Sequence, residues 1–171
     1  ARNHPHSMGA WSHDSKTHVA HMRAFDFFGR EQAAVIEKAG MAKIVFEDEK
    51  GNETVLKDKI MLDYDEVIDG ARMEVKSLRK FIAEEIEDAK QKDVLFSVHL
   101  KATMMKISDP IMFGHVVSVF FEDVFTKHAD TFVKLGINPN NGMGALYEKI
   151  KELPEAKQEE IRKDIDEVLK K

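Results

Sequence analysis

The 171-residue chain has no cysteine, which removes disulfides, thiol nucleophiles and cysteine-based zinc sites together. It also lacks a basic excess. Its 26 Lys and Arg residues face 31 Asp and Glu, for a net charge of −5, and general nucleic-acid affinity needs a basic footprint. No apolar run approaches the ~20 residues of a membrane-spanning helix. The opening Ala1-Arg2-Asn3-His4 has neither an initiator Met nor an apolar signal region. No membrane and no nucleic acid are therefore expected as partners, and the expected compartment is the cytoplasm. So abrupt a start also suggests a piece of something longer.

Several chemical signatures are missing too. There is no Gly-x-Ser-x-Gly elbow for a serine nucleophile. The Gly142-Met143-Gly144 run follows no predicted strand, so neither a phosphate loop nor a dinucleotide fingerprint is present. Internal repeats and low-complexity linkers are absent. What the chain does have is 43% hydrophobic and 33% charged residues, the balance of a globular protein with a real core rather than a disordered one.

The expected fold is α/β: a mixed sheet with a β-hairpin and packed helices, strands and loops over 1–70, then helix, buried strand and helices over 71–171. Residues 1–24 are polar and irregular, with Trp11 as the main anchor. They hold five histidines, His4, His6, His13, His18 and His21, whose spacing matches no zinc pattern and which read as loop or edge histidines. Thr17 to Met22 alternates weakly, as a short strand would. Phe25 and Phe27 alternate with Asp26, predicting a strand broken at Gly29 whose rings pack in the core. Residues 42–49 and 54–62 form two strands around Lys50-Gly51-Asn52-Glu53, a hairpin signal. Asp63, Asp65, Glu66 and Asp69 lack the Gly and Glu placement of a calcium loop and read as a solvated turn, with Val67-Ile68 starting a strand. Residues 73–92 carry Val75, Leu78, Phe81, Ile82, Ile86 and Ala89 at helical spacing. Residues 110–134 read as one helix, apolar nearly all round and ended by Gly136, followed by a turn at 138–142 and helices at 145–151 and 154–171.

The stretch 94–115, VLFSVHLKATMMKISDPIMFGH, organises the rest. Its first seven residues are rich in β-branched and aromatic side chains and predict a strand buried on at least one face. Lys101 ends that strand. Thr103 and a second amine, Lys106, follow, and Ser108-Asp109-Pro110 supplies a capping side chain and a first-turn proline. A buried strand ending in Lys and facing a helix N-terminus is where open α/β folds bind anions. Such a lysine holds a carboxylate or moves a proton, or else it merely snorkels while Lys106 serves as surface charge.

The run His99-Leu100-Lys101-Ala102-Thr103-Met104-Met105-Lys106 continues as Ser108-Asp109-Pro110-Ile111 and Phe113-Gly114-His115. Together these strongly resemble the monomeric NADP-dependent isocitrate dehydrogenases of bacteria. The resemblance extends to His4-Pro5-His6, Met8-Gly9-Ala10-Trp11-Ser12, Ser15-Lys16 and His18-Val19-Ala20-His21-Met22. It also includes Phe81-Ile82-Ala83, Ile86-Glu87-Asp88-Ala89-Lys90, Asn140-Asn141-Gly142 and Leu153-Pro154-Glu155-Ala156-Lys157-Gln158. It implies a segment of the large domain of a much longer chain. That enzyme passes hydride from isocitrate to NADP⁺ and, helped by Mg²⁺ or Mn²⁺, releases CO₂ to leave 2-oxoglutarate, with a Lys and a Tyr handling protons. By position in the motif the catalytic lysine is Lys101, with Lys106 the lesser candidate. The tyrosine, the metal-binding aspartates, the NADP-binding residues and the substrate-carboxylate set fall outside this chain; Tyr64 and Tyr147 are in no matching motif. The resemblance thus implies one catalytic residue on a scaffold, inactive alone and binding no NADP or metal by itself, with isocitrate and the remainder of the parent chain as partners. The alternative is an excised, non-catalytic assembly or binding module that pairs through the apolar 110–134 helix.

Overall fold

The computed structural model describes residues 9–101 and 103–170; His4, Pro5, His6, Met8 and Ala102, singled out above, lie outside them. It is a mixed α and β structure whose chain divides into two compact units, Arg23–Glu74 in one, Ala1–Met22 with Val75–Lys171 in the other.

The Arg23–Glu74 unit contains the strands β1 (Gln32–Val35), β2 (Gly40–Glu47), β3 (Glu53–Leu62) and β4 (Val67–Gly70). They make two separate antiparallel pairs. β1 runs against β4 with Gln32 opposite Gly70 and Val35 opposite Val67, and β2 runs against β3 with Glu47 opposite Glu53. The expected hairpin is present, and Asp48 shapes its turn. The Asp48 carboxylate accepts the N–H groups of Lys50 and Asn52 and the Asn52 side-chain amide, each at 2.8 Å, while Gly51 takes φ +81°. Hydrogen bonds from Asn52 hold the Asp48 carboxyl below its ordinary value. The acidic run closes as a turn in which Asp63 N–H donates to Glu66 at 2.7 Å, and β4 begins at Val67 as expected.

The aromatic stretch differs from expectation. Residues 25–27 form no strand, and Phe28–Arg30 is a 3-10 turn. The cause is local: Asp26 accepts Gly29 N–H at 2.8 Å, which folds the chain back before a strand can extend, and pairing starts only at Gln32. Nor do the rings enter a core. Phe28 is 89% exposed, and Phe25 lies under the Arg30 guanidinium at 4.5 Å.

The second unit is helical. α1 (Val75–Lys92) buries Leu78, Ile82 and Ala89. α2 (Ser108–Phe120), α3 (Glu122–Lys127) and α4 (Ala129–Lys134) replace the expected single helix. Its bends are at Phe121 and His128, but the hydrogen-bond ladder crosses both. Phe121 N–H reaches Val117 C=O at 3.0 Å and His128 N–H reaches Val124 C=O at 3.0 Å. Gly136, at φ +62°, ends the series: its N–H bonds Val133 C=O and Ile137 N–H bonds Phe132 C=O. α5 (Gly142–Ile150) and α6 (Glu155–Leu169) follow a 3-10 turn at Pro139–Asn141. The core joins Val117, Phe121, Val124, Phe132, Leu146, Ile150, Ile161 and Ile165.

The expected buried strand at 94–100 is not a strand. It carries no regular secondary structure, and its burial is uneven. Val94, Phe96 and Leu100 are half-buried, whereas Leu95 is 93% exposed. Residues 17–22 are likewise outside any sheet. Both stretches have strand-like sequence without a neighbouring strand among the described residues, and a strand exists only through its partner. Among the described residues no helix is long and apolar enough to cross a membrane.

Candidate functional site

Lys101 follows the 94–100 stretch, exposed, with its main chain held on both sides. Its N–H donates to Asp109 Oδ2 at 2.9 Å, and its C=O accepts from the N–H groups of Met104 at 2.9 Å and Met105 at 3.3 Å. Asp109 is 6% exposed, a buried carboxylate in the first turn of α2, and its own N–H returns to Met105 C=O at 3.2 Å. The residues expected to cap α2 therefore do something else. Ile107 occupies the cap position without a side-chain bond, and Asp109 reaches back across the loop to grip peptide unit 101. A carboxylate in the first helical turn is favoured by the helix dipole and by the unpaired N–H groups there. Pro110 fits the same turn because its missing N–H is not required.

Lys106 sits in the loop between Lys101 and α2, exposed. Among the described residues neither lysine ammonium has a hydrogen-bond or ion-pair partner. Both are cations presented to solvent at the mouth of one helix.

Two of the quoted sequence runs, far apart in the chain, meet where α2 packs on the 3-10 turn. A Cβ on Gly114 would lie 3.0 Å from the Asn140 backbone nitrogen and would overlap its side chain, and a Cβ on Gly142 would lie 3.3 Å from the Phe113 ring. Phe113-Gly114 and Asn140-Asn141-Gly142 thus interlock, each glycine making room for the other run. Asn138 caps the intervening turn by accepting Asn140 N–H at 2.9 Å. This lock fixes the N-terminal half of α2, and with it Asp109. No period or motif signals the Gly114–Asn140 contact; the glycine in an otherwise apolar helix is the one clue.

Among the described residues, two clusters bring together side chains of metal-ligand type. At the first, His18 Nε2 is 3.3 Å from Asp88, near Glu85, while its Nδ1 faces Lys16 C=O at 2.8 Å. Lys92 Nζ sits 2.7 Å from the same Asp88, and that hydrogen bond is the main cause of its lowered carboxyl pKa. At the second, His128 is buried at 2% exposure and donates from Nε2 to Asp164 at 2.6 Å, beside Glu160. A carboxylate only accepts, so Nε2 carries a proton, and Nδ1 is buried without a partner among the described residues. Lys127 Nζ lies 2.8–2.9 Å from both Asp164 oxygens. Burial pushes the Asp164 carboxyl up, but hydrogen bonds from Lys127 and His128 outweigh it and hold it below its ordinary value. Neither cluster suits Mg²⁺ or Mn²⁺ chemistry. Hard divalent cations favour all-oxygen shells, each cluster supplies an imidazole, and in both a lysine ammonium already neutralises the carboxylate. The Asp164 cluster also escaped the sequence reading, since its members are 36 residues apart.

A family model described as monomeric isocitrate dehydrogenase matches residues 1–171. The chain is 57% identical over 168 residues to the isocitrate dehydrogenase [NADP] of Azotobacter vinelandii, a match covering 98% of this chain and 23% of that protein. It is 52% identical over 168 residues to isocitrate dehydrogenase [NADP] 2 of Colwellia maris, again with 98% and 23% covered. Isocitrate dehydrogenase [NADP] 2 of Mycobacterium tuberculosis is 46% identical over 165 residues, with 96% and 22% covered. The chain spans a little under a quarter of the length of these relatives.

Proposed function

This chain belongs to the monomeric isocitrate dehydrogenase family, and from that premise we propose that it is a segment of an NADP-dependent enzyme that converts isocitrate to 2-oxoglutarate and CO₂. Lys101 is the residue it contributes to the chemistry. The observation that carries this reading is the double hold on peptide unit 101. The buried Asp109 carboxylate and the turn to Met104 fix the main chain, while the ammonium stays exposed and unpaired. A fixed backbone with a free amine is what a proton-transferring lysine requires. An amine so held meets the oxygen of a substrate brought to it from elsewhere in the parent chain. Lys106, two residues from α2, serves as surface charge.

NADP and a divalent metal belong to the complete enzyme in this proposal, which acts in the cytoplasm. The metal-type clusters in this chain do not fit that ion, and no step is drawn through it. The segment alone is inactive.

The test has two arms. The 171-residue chain, given isocitrate, NADP⁺ and Mg²⁺, produces no NADPH. In the complete enzyme, Lys101→Met lowers kcat by ~10²–10⁴-fold, the usual contribution of a positioned acid or base. A near-normal rate in that variant, with loss instead in Lys106→Met, moves the role to Lys106. The assembly-module alternative has weaker support, because Val117, Phe121, Val124 and Phe132 of the apolar helices are buried in the chain's own core.

A further inference from the structure

Two of the chain's methionines, Met104 and Met105, stand side by side in the turn that follows Lys101. Their main chains take part in the hold on that residue, since both N–H groups donate to Lys101 C=O, at 2.9 and 3.3 Å. Their side chains do not pack. Met104 is 63% exposed and Met105 50%, whereas Met112 and Met143, on the helices that follow, are half-buried. A turn closed by a bond from residue i+3 to residue i brings the two α-carbons to within ~7 Å. The flexible side chains of Lys101 and Met104 therefore spring from neighbouring points. A thioether is a weak acceptor and leaves an ammonium free. Its oxidised form, the sulfoxide, is polar, and its oxygen accepts hydrogen bonds readily.

We propose that Met104 and Met105 form an oxidative modification site at which a peroxide silences Lys101. The inference rests on the proposed proton-transferring role of that lysine. In the step, a sulfur lone pair attacks one oxygen of hydrogen peroxide and the O–O bond breaks. A sulfur–oxygen bond forms, and the departing hydroxide takes the proton from the transferred oxygen and leaves as water. Sulfur loses two electrons and the peroxide gains them. The new oxygen accepts a hydrogen bond from the Lys101 ammonium, which has three donors and, among the described residues, no partner. The amine is then held away from substrate, and two enlarged polar side chains load the turn that fixes its main chain. The change is reversible, because sulfoxide reductases return the thioether. Met41 and Met61, exposed to a similar degree, belong to the other compact unit and take no part in this turn.

The test treats the complete enzyme with graded hydrogen peroxide and reads turnover and peptide masses on the same samples. Turnover falls ~10–100-fold, the scale of a displaced reacting group, in step with one added oxygen on each of Met104 and Met105. Methionine sulfoxide reductases for both epimers, with dithiothreitol, restore it. An enzyme carrying Met104→Leu and Met105→Leu, measured against its own untreated rate, keeps most of its turnover, while one carrying Met41→Leu and Met61→Leu loses as much as the native. Full turnover with both sulfoxides formed overturns the proposal. So do Met104 and Met105 left unoxidised, and so does an equal loss in the enzyme lacking them. Should that variant fail to fold, the match of mass to turnover and the reductase rescue still decide. Lys101→Met, measured without peroxide, reports on the lysine alone, and sulfoxide formation is read by mass whatever that lysine does, so the two readings fail separately.

Discussion

Ile150, Ile161 and Ile165 of the helical unit are wholly buried, while among the described residues of Arg23–Glu74 none reaches burial at all. The apolar supply is not the difference. Phe46, Val55, Leu56 and Met61 are as hydrophobic as the isoleucines, yet each is more than half exposed. Backbone geometry is the difference. A helix satisfies its own N–H and C=O groups, so three or four helices need only match apolar stripes to make a core. A two-stranded ribbon leaves two open edges and two open faces, and it is marginal until more strands or a helix cover it. The helical core closes on itself; the two-stranded pairs do not.

This contrast can be broken by mutation. The largest effect is expected at Ile161→Ala, which opens a cavity in a fully buried site and costs about 4 kcal/mol by urea unfolding of the helical unit. A cost below about 1 kcal/mol would mean that the helical core is as loosely made as the ribbon. Gly114→Ala comes next, at about 2–3 kcal/mol, because the new methyl meets Asn140 backbone as well as side chain and neither can retreat freely. Asp164→Asn costs about 2 kcal/mol near neutral pH, through weakened bonds to Lys127 and the buried His128.

Asp164 also carries a pH signature. Its folded carboxyl lies below the ordinary value of 3.8, so the stability it lends is complete above that value and is lost as pH falls through the folded value. Unfolding midpoints followed from about pH 6 to about pH 3 should fall more steeply for the native chain than for Asp164→Asn. Parallel curves would remove the carboxylate from the stability account. The smallest effect is expected on the ribbon. Phe46→Ser should change stability by less than about 0.5 kcal/mol in this chain, since its ring is already more than half in water. A cost comparable to Ile161→Ala would show that the ribbon has a hidden core and would end the comparison.

Periodicity made α1, the hairpin, the Gly136 stop and the two C-terminal helices legible, because each is decided by neighbours within a few residues. The same signal failed wherever a distant atom intervened. The 110–134 pattern gave one helix, and nothing local reveals that His128 is pulled toward Asp164 on α6. Residues 94–100 read correctly as β-prone, but whether they become a strand depends on a partner that local pattern does not report. The Phe25–Phe27 alternation was genuine and was overruled by one side chain, Asp26. At the candidate site, the nomination of Lys101 rests on a resemblance over a specific run. The role of Asp109 was misread, because a capping preference names a residue and a helix end but not the peptide it will grip.

That grip acts on an N–H, and every residue but one has it. The anchor under Lys101 is therefore indifferent to the side chain displayed there. Methionine, arginine or glutamine substituted at 101 should be held in the same place, making the position a fixed socket in which amine chemistry can be exchanged without moving the mount. Proline alone would unseat it, by having no hydrogen to give Asp109.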